Sequence, residues 1–202
     1  MTGGVPQRTT ARLLLRGFTD ADQAPFVALN RDRRVMRHLQ GPWSPRRSAE
    51  MVERIEACWA ARGWGLWAVE VRETRTFVGW TGLWPAPDLP GGPGVEVGWR
   101  LARDAWGHGY APEAAREALT YAFADVGLDE VVSYCAAGNA ASLRVMAKMG
   151  LRRDAARDFD SPRVDPITYP ELVTQLVHAT TREAWRARVA AGREHDEGGG
   201  AG

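Results

Sequence analysis

The run Trp106-Gly107-His108-Gly109-Tyr110-Ala111-Pro112-Glu113 follows a strand-like segment, Val95-Glu96-Val97-Gly98-Trp99-Arg100-Leu101, and leads into a helix-like one. A strand, a glycine-rich turn and a helix start are the parts of an anion cradle. Gly107, Gly109 and the small Ala111 let a ligand come close to the backbone. The first amides of a helix have no internal acceptor, and the helix dipole favours negative charge beside them. Pro112 fits the first helical position, where its missing N–H is not needed. The chemistry implied is diphosphate binding without a lysine or a metal. Two other glycine-rich patterns fail. The third glycine of a dinucleotide-binding turn is replaced by Ala111-Pro112, and no Gly-Lys-Ser/Thr follows as in a P-loop. Taken alone, the run is equally compatible with a tight turn that uses glycine for packing.

A second segment decides between these. Beyond the helix come Val131-Val132-Ser133-Tyr134-Cys135 and Asn139-Ala140-Ala141-Ser142-Leu143-Arg144-Val145-Met146-Ala147-Lys148-Met149-Gly150-Leu151. With Glu96-Val97-Gly98-Trp99 and the glycine turn at this separation, the chain resembles the GNAT superfamily of N-acetyltransferases, in its RimJ/RimL-like branch. The resemblance covers residues 10–185 and is sharpest from 94 to 151. It implies a mixed α/β GNAT fold, with a mostly antiparallel twisted sheet of about six or seven strands flanked by about four helices. It implies acetyl-CoA, or another acyl-CoA, as donor, and an amine of a small molecule or a peptide as acceptor. A homodimer is compatible with it.

The site residues follow from the same resemblance. Trp106, Gly107, His108, Gly109, Tyr110 and Ala111 form the pyrophosphate turn. Trp99 and Leu101, near the end of the preceding strand, border the pantetheine arm, with the Leu101 backbone pairing to it. Asn139 contacts the pantetheine or orders the loop after it, and Ser142 places a hydroxyl near the coenzyme sulfur. Trp106 stands where the wider superfamily has Gln or Arg, a difference the RimJ/RimL-like branch tolerates.

Acyl transfer to an amine needs a neutral amine, a polarised thioester and a proton for the leaving thiolate. An alkyl amine with a pKa of about 10.4 is almost wholly protonated at neutral pH. A general base is worth roughly 10²–10⁴-fold. Glu96 is the base candidate, since it alternates with Val95 and Val97 and faces away from them; otherwise it only bonds neighbouring backbone. A strand N–H at or near Leu101 can face the oxyanion. Ser142 can protonate the thiolate or simply be a hydroxyl at a helix N-terminus, and Tyr134 is a second acid candidate. His108, inside the turn, reads as a backbone contact with an exposed ring. Cys135 reads as core.

The acceptor site is expected between Arg31–Pro45, Trp84–Pro93 and Arg157–Tyr169. Trp43, Trp64, Trp80 and Trp84 could wall it, although packing explains them as well. Relatives in this branch have His where Ser161 stands in Asp158-Phe159-Asp160-Ser161-Pro162, and Tyr169–His178 also departs from them. An arginine at the acyl gap would point to a carboxylated donor such as succinyl-CoA, but the sequence does not place Arg100 there. The alternative to an enzyme is a non-catalytic acyl-CoA binding or sensing domain.

The elements that must position these residues are readable from period and caps. Arg12–Arg16 reads as a strand, and Asp20 as the cap of a helix to Asn30. Ser44-Pro45 starts a helix to Arg62, with Met51, Ile55, Cys58 and Trp59 on one face and Gly63 at its end. Leu66–Val71 and Thr76–Trp84 read as a hairpin, Pro85–Gly94 as a loop, and Val95–Leu101 as the next strand. Pro112–Val126 and Ala140–Met149 read as helices around the strand Glu130–Ala136, with Gly150 as a C-terminal stop. A last strand falls within Pro170–Thr180.

Length and composition bound the rest. The chain has 202 residues, 45% hydrophobic and 25% charged, with 26 basic and 25 acidic side chains. That fits one domain with a sizeable core. A net charge of +1 gives no general attraction to nucleic acid or anionic membranes. Two cysteines and four histidines lack disulfide or metal spacing, so no metal site is expected. Residues 1–10 lack the apolar run of a secretory signal, and no stretch is long enough to span a membrane. The expectation is a cytoplasmic protein with a flexible leader over 1–10, one acyltransferase domain over 11–191 and a disordered tail over 192–202.

Overall fold

The computed structural model describes residues 4–198, and side chains as far as residue 191. The chain begins with β1 (Arg8–Thr9), β2 (Leu13–Arg16), α1 (Gln23–Arg31) and α2 (Pro45–Arg62). Three long strands follow, β3 (Leu66–Val71), β4 (Thr76–Ala86) and β5 (Gly94–Leu101). Then come α3 (Tyr110–Tyr121), extended by one π turn over Ala122–Val126, β6 (Glu130–Ala136) and α4 (Ala140–Met149). The chain ends with β7 (Arg152–Arg153), β8 (Phe159–Asp160), β9 (Thr174–Thr181) and α5 (Arg182–Gly198). The fold is mixed α/β, with the mostly antiparallel sheet anticipated from the sequence. The sheet has nine strands, but three of them are two residues long. Five α-helices are present among the described residues, one more than expected.

The sheet order is β1-β2-β3-β4-β5-β6-β9-β7, with β8 also on β9. All neighbours are antiparallel except β5 and β6. Parallel strands need a crossover, and α3 supplies it. β4 and β5 are matched at eight positions and β6 and β9 at seven, whereas β5 and β6 meet only at Glu96 and Val132. The sheet is therefore two tightly laddered halves that touch at one point and part on either side of it.

Local signals account for most boundaries. Ser44 Oγ accepts from the Arg47 amide, Pro45 opens α2, and Gly63 at φ +71° closes it. The buried face of α2 holds Ile55, Cys58 and Trp59. Trp59 meets Trp67 edge-on at 4.9 Å, and Trp67 meets Tyr121 at 5.1 Å. These rings join α2, β3 and α3 in the core. Their polar tips are satisfied by backbone: Trp59 Nε1 donates to Leu66 O, and the Tyr121 hydroxyl to Gly63 O.

Four sequence expectations change. Thr19, not Asp20, precedes the first helical turn, and the buried Asp22 closes that cap by accepting from the Thr19 amide. Asp22 is drawn inward because Arg16 pairs with it at 2.6 Å. Pro112 is the third residue of α3, because Gly109 at φ +77° turns the chain and Tyr110 starts the helix; the proline still lies in the first turn, where its missing N–H costs nothing. Within the segment read as a leader, Arg8 and Thr9 pair with Leu15 and Leu14. The segment read as a tail continues α5 to Gly198, and residues 199–202 lie outside the described residues. Trp185 is what fixes that helix, buried at 5% exposure against Phe123.

Candidate active site

Alternation along β5 places Glu96, Gly98 and Arg100 on one face and Val97, Trp99 and Leu101 on the other. Val97 and Leu101 enter the main core, and Trp99 packs partly buried against it. On the opposite face, Trp84 on β4 pairs with Glu96 and Trp80 with Arg100. The Trp80 ring leans over Gly98, where a Cβ would lie 3.3 Å from it and 3.9 Å from Glu96 Oε1. Glycine is what lets this ring and this carboxylate share the face.

Glu96 occupies the single point where the two half-sheets meet. Burial raises its carboxyl from the ordinary 4.5 to about 7, against a lowering influence from a Tyr134 hydrogen bond and the Arg163 charge. Tyr134, on β6, is itself held protonated by burial and by the nearby carboxylate. The group can therefore exchange a proton near neutral pH, which is what a general base must do. Cys135 is buried, and its thiol is pushed up to about 12 by burial and by Glu96, so it is no thiolate nucleophile at neutral pH.

The glycine turn lies beyond the other end of β5. Gly107 and Gly109 both have positive φ, and a Cβ on Gly107 would meet nothing within 4 Å. The first α3 amides lack helical acceptors, and the first turn is closed only from Glu113 N to Gly109 O. This is an open, donor-rich helix start that fits a diphosphate. Trp106 is half exposed, and its Nε1 donates to Leu101 O at 2.9 Å. The Leu101 carbonyl is thus already engaged with the turn, while the β6-facing edge of β5 from Val97 onward has no strand partner among the described residues. His108 is exposed and stacks on Tyr110.

Arg12 was not anticipated. Its guanidinium donates to His108 O at 2.8 Å, pairs with Glu113 at 2.6 Å and lies 4.9 Å from the Tyr110 ring centre. It braces the turn, its charge met by the Glu113 carboxylate. The contact crosses nearly a hundred residues, and nothing in the local pattern around Arg12 signals it. Asn139 caps α4, its side chain accepting from the Ser142 amide at 3.2 Å. It orders the loop after β6, and Ser142 lies half-buried in the first turn of α4.

The three segments expected around the acceptor come together. Gln40 Nε2 donates to Arg163 O at 2.9 Å, and its carbonyl accepts from the Asp165 amide. Arg163 pairs with Asp88 at 2.6 Å. His38 reaches the β6–α4 loop, with Cε1 3.9 Å from where a Gly138 Cβ would stand. Of the four candidate tryptophans, Trp64 is core, Trp84 neighbours Glu96, and Trp43 and Trp80 flank Arg100. A separate hollow at Arg16, Asp22, Glu70 and Arg75 lies on the strands away from the cleft and holds ion pairs among its own residues.

Residues 12–152 match the family described as an acetyltransferase (GNAT) domain. Protein YkkB of Bacillus subtilis (strain 168) is 35% identical over 70% of this chain and 83% of its own length. The FsC-acetyl coenzyme A-N(2)-transacetylase of Aspergillus fumigatus is 31% identical over 89% of this chain and 78% of its own. Among solved structures, the acetyltransferase from Agrobacterium tumefaciens str. C58 superposes with a TM-score of 0.73 at 27% identity, covering 89% of this chain and 96% of that one.

Proposed function

Because this chain belongs to the GNAT family of N-acetyltransferases, we propose that it carries an acetyl group from acetyl-CoA to a primary amine of a small molecule or a protein N-terminus. The observation that carries this reading is Glu96, a carboxyl poised near pH 7 at the one contact between the diverging strands. Burial prevails over the Tyr134 hydrogen bond and the Arg163 charge, so the carboxylate can take a proton from an incoming ammonium. The name of the Aspergillus relative, which includes acetyl coenzyme A as donor and a nitrogen as acceptor, supports the same chemistry.

In this reading the amides at the start of α3 hold the diphosphate, with Arg12 bracing the turn through His108 O. Acetyl-CoA, when bound, supplies a thioester whose acyl group is open to an amine. Glu96, as carboxylate, removes the proton that keeps the amine unreactive. An N–H on the unpaired edge of β5 faces the developing oxyanion. Ser142 or Tyr134 returns a proton to the thiolate; Tyr134 lies beside Glu96, whose captured proton replaces the one the phenol gives up. Trp99 and the cap at Asn139 hold the walls of the groove. Trp106 at the head of the turn supports placement in the RimJ/RimL-like branch, and two buried free cysteines are in keeping with a reducing cytoplasm.

Calorimetric titration with acetyl-CoA, followed by thiol release over a panel of amines, tests the reading. Saturable binding near one site per chain with amine-dependent thiol release is the expected result. Binding without turnover on any amine would make the protein an acyl-CoA sensor. No binding would remove the diphosphate assignment.

A further inference from the structure

Arg100 is a cation in the wrong place for a purely structural role. It is 9% exposed and lies between two indoles, its guanidinium carbon 4.5 Å from the Trp43 ring centre and 5.2 Å from that of Trp80. Its only side-chain hydrogen-bond acceptor among the described residues is a neutral one, Asn30 Oδ1 at 2.6 Å. Asn30 is itself buried and turned by its amide toward Ser48 Oγ at 3.2 Å. The charge that acts on it is that of Arg47, of the same sign, which also lies over Trp43. Burying an unpaired guanidinium is costly, and such groups are ordinarily met by a carboxylate or phosphate.

The unmet hydrogen bonds say what is missing. Arg100 Nε and Trp43 Nε1 are both buried without an acceptor, and the two side chains are in contact. Both are obligate donors. Two adjacent orphan donors, one of them charged, match the two oxygens of a carboxylate. They lie on the same face of β5 as Glu96, with only Gly98 and the overhanging Trp80 ring between. Four residues of strand put the two positions roughly 13 Å apart along the backbone, and Glu96 Oε1 reaches to within 3.9 Å of where a Gly98 Cβ would stand, while Arg100 lies against the Trp80 ring that overhangs it. An amine at Glu96 and an anion at Arg100 would then belong to one molecule.

We propose that Arg100 and Trp43 form a carboxylate subsite, and that one of the two substrates carries a carboxylate: either the acceptor, as an amino acid, or the donor, as a dicarboxylic acyl-CoA such as succinyl-CoA. The proposal rests on the acetyltransferase reading for its substrates. It does not rest on it for the existence of the subsite. Trp80 walls the site and Asn30 holds the guanidinium in place, which fixes the direction of its free Nε.

The test compares wild type, Arg100→Met and Arg100→Lys. Thiol release is measured for L-phenylalanine against phenethylamine and L-lysine against cadaverine with acetyl-CoA, and for succinyl-CoA against acetyl-CoA with one uncarboxylated amine. In parallel, melting temperature is read with N-acetyl-L-phenylalanine and with succinate, without any coenzyme. Wild type should prefer the carboxylated member of the acceptor or the donor series by about tenfold or more in kcat/KM, the size of one well-made charged contact. Arg100→Met should abolish that preference while changing the uncarboxylated partner less than about threefold. Arg100→Lys should restore part of it, which a merely structural arginine would not require. The series showing the preference identifies which substrate bears the carboxylate. A preference surviving in Arg100→Met, or absent from both series in an active wild type, overturns the subsite. If no acceptor turns over, the melting measurement decides. A shift seen with either carboxylate in wild type and lost in Arg100→Met supports the subsite even as the enzymatic reading fails, and no shift removes it.

Discussion

Glu96 is pulled in two directions. Burial favours its neutral form, while the Tyr134 hydroxyl and the Arg163 charge favour its carboxylate, and burial prevails to leave it near 7. Two measurable consequences have opposite signs. Activity needs the ionised form, so kcat/KM should rise as pH rises through about 7, and Glu96→Gln should lower it by roughly 10²–10⁴-fold and flatten that limb. Stability needs the neutral form. Between the ordinary 4.5 and about 7 the folded protein holds a proton that the unfolded chain has lost, so stability falls across that window as pH rises. Denaturation curves of Glu96→Gln should lack that slope. A rising limb that persists unchanged in Glu96→Gln would assign the base elsewhere. Glu96 was legible because strand alternation beside a glycine turn is a local pattern. Arg12, Arg100 and Arg163 were not, because each acquires its role from residues far along the chain.

The first turn of α3 shows how an element makes a site. Gly109 holds φ +77°, which an L side chain adopts only with strain, and a Cβ there would come 3.3 Å from Arg12 Nη2. Gly109→Trp should therefore obstruct the helix start and disturb the brace. Acetyl-CoA affinity is expected to fall by more than about tenfold, equivalent to 1.4 kcal/mol. The melting temperature should fall only by the several degrees that a strain of about 1 kcal/mol produces. Calorimetry and thermal melting separate the two, and unchanged affinity would move the diphosphate away from α3. The helix α2 was fully legible, from Ser44 to Gly63, because its caps are adjacent to it in sequence. The helix α5 was not, because its anchor is the contact of Trp185 with Phe123.

At the scale of the whole molecule, the chain edge of the sheet is secured by charge. Arg16 donates to Asp22 at 2.6 and 2.9 Å and to Glu70 at 2.9 Å, and both carboxylates are almost wholly buried. Arg16→Met would leave them without their shared partner, a change that costs about 3–5 kcal/mol. The pH dependence follows from Asp22. Burial alone would raise it, but hydrogen bonds from Arg16 and Thr19 hold it below 3.8. That stabilisation is present at neutral pH and is lost as pH falls through the folded value. Chemical denaturation at pH 7 and at pH 3 should show the gap between wild type and Arg16→Met narrowing at the lower pH. A constant gap would mean that the arginine contributes through packing alone.

The order of strands and helices from β2 to α4, the glycine turn, the α4 cap and the alternation of Glu96 were all determined by residues within a few positions of one another. Period, capping and turn conformation are short-range properties, so they survive in the sequence as pattern. The meeting of β5 and β6 at a single pair, the brace of Arg12 on the turn, the charge of Glu96 and the isolation of Arg100 between Trp43 and Trp80 were decided only by the tertiary structure. Desolvation and charge pairing depend on what lies within a few ångströms in space, and that neighbourhood is assembled from segments up to a hundred residues apart.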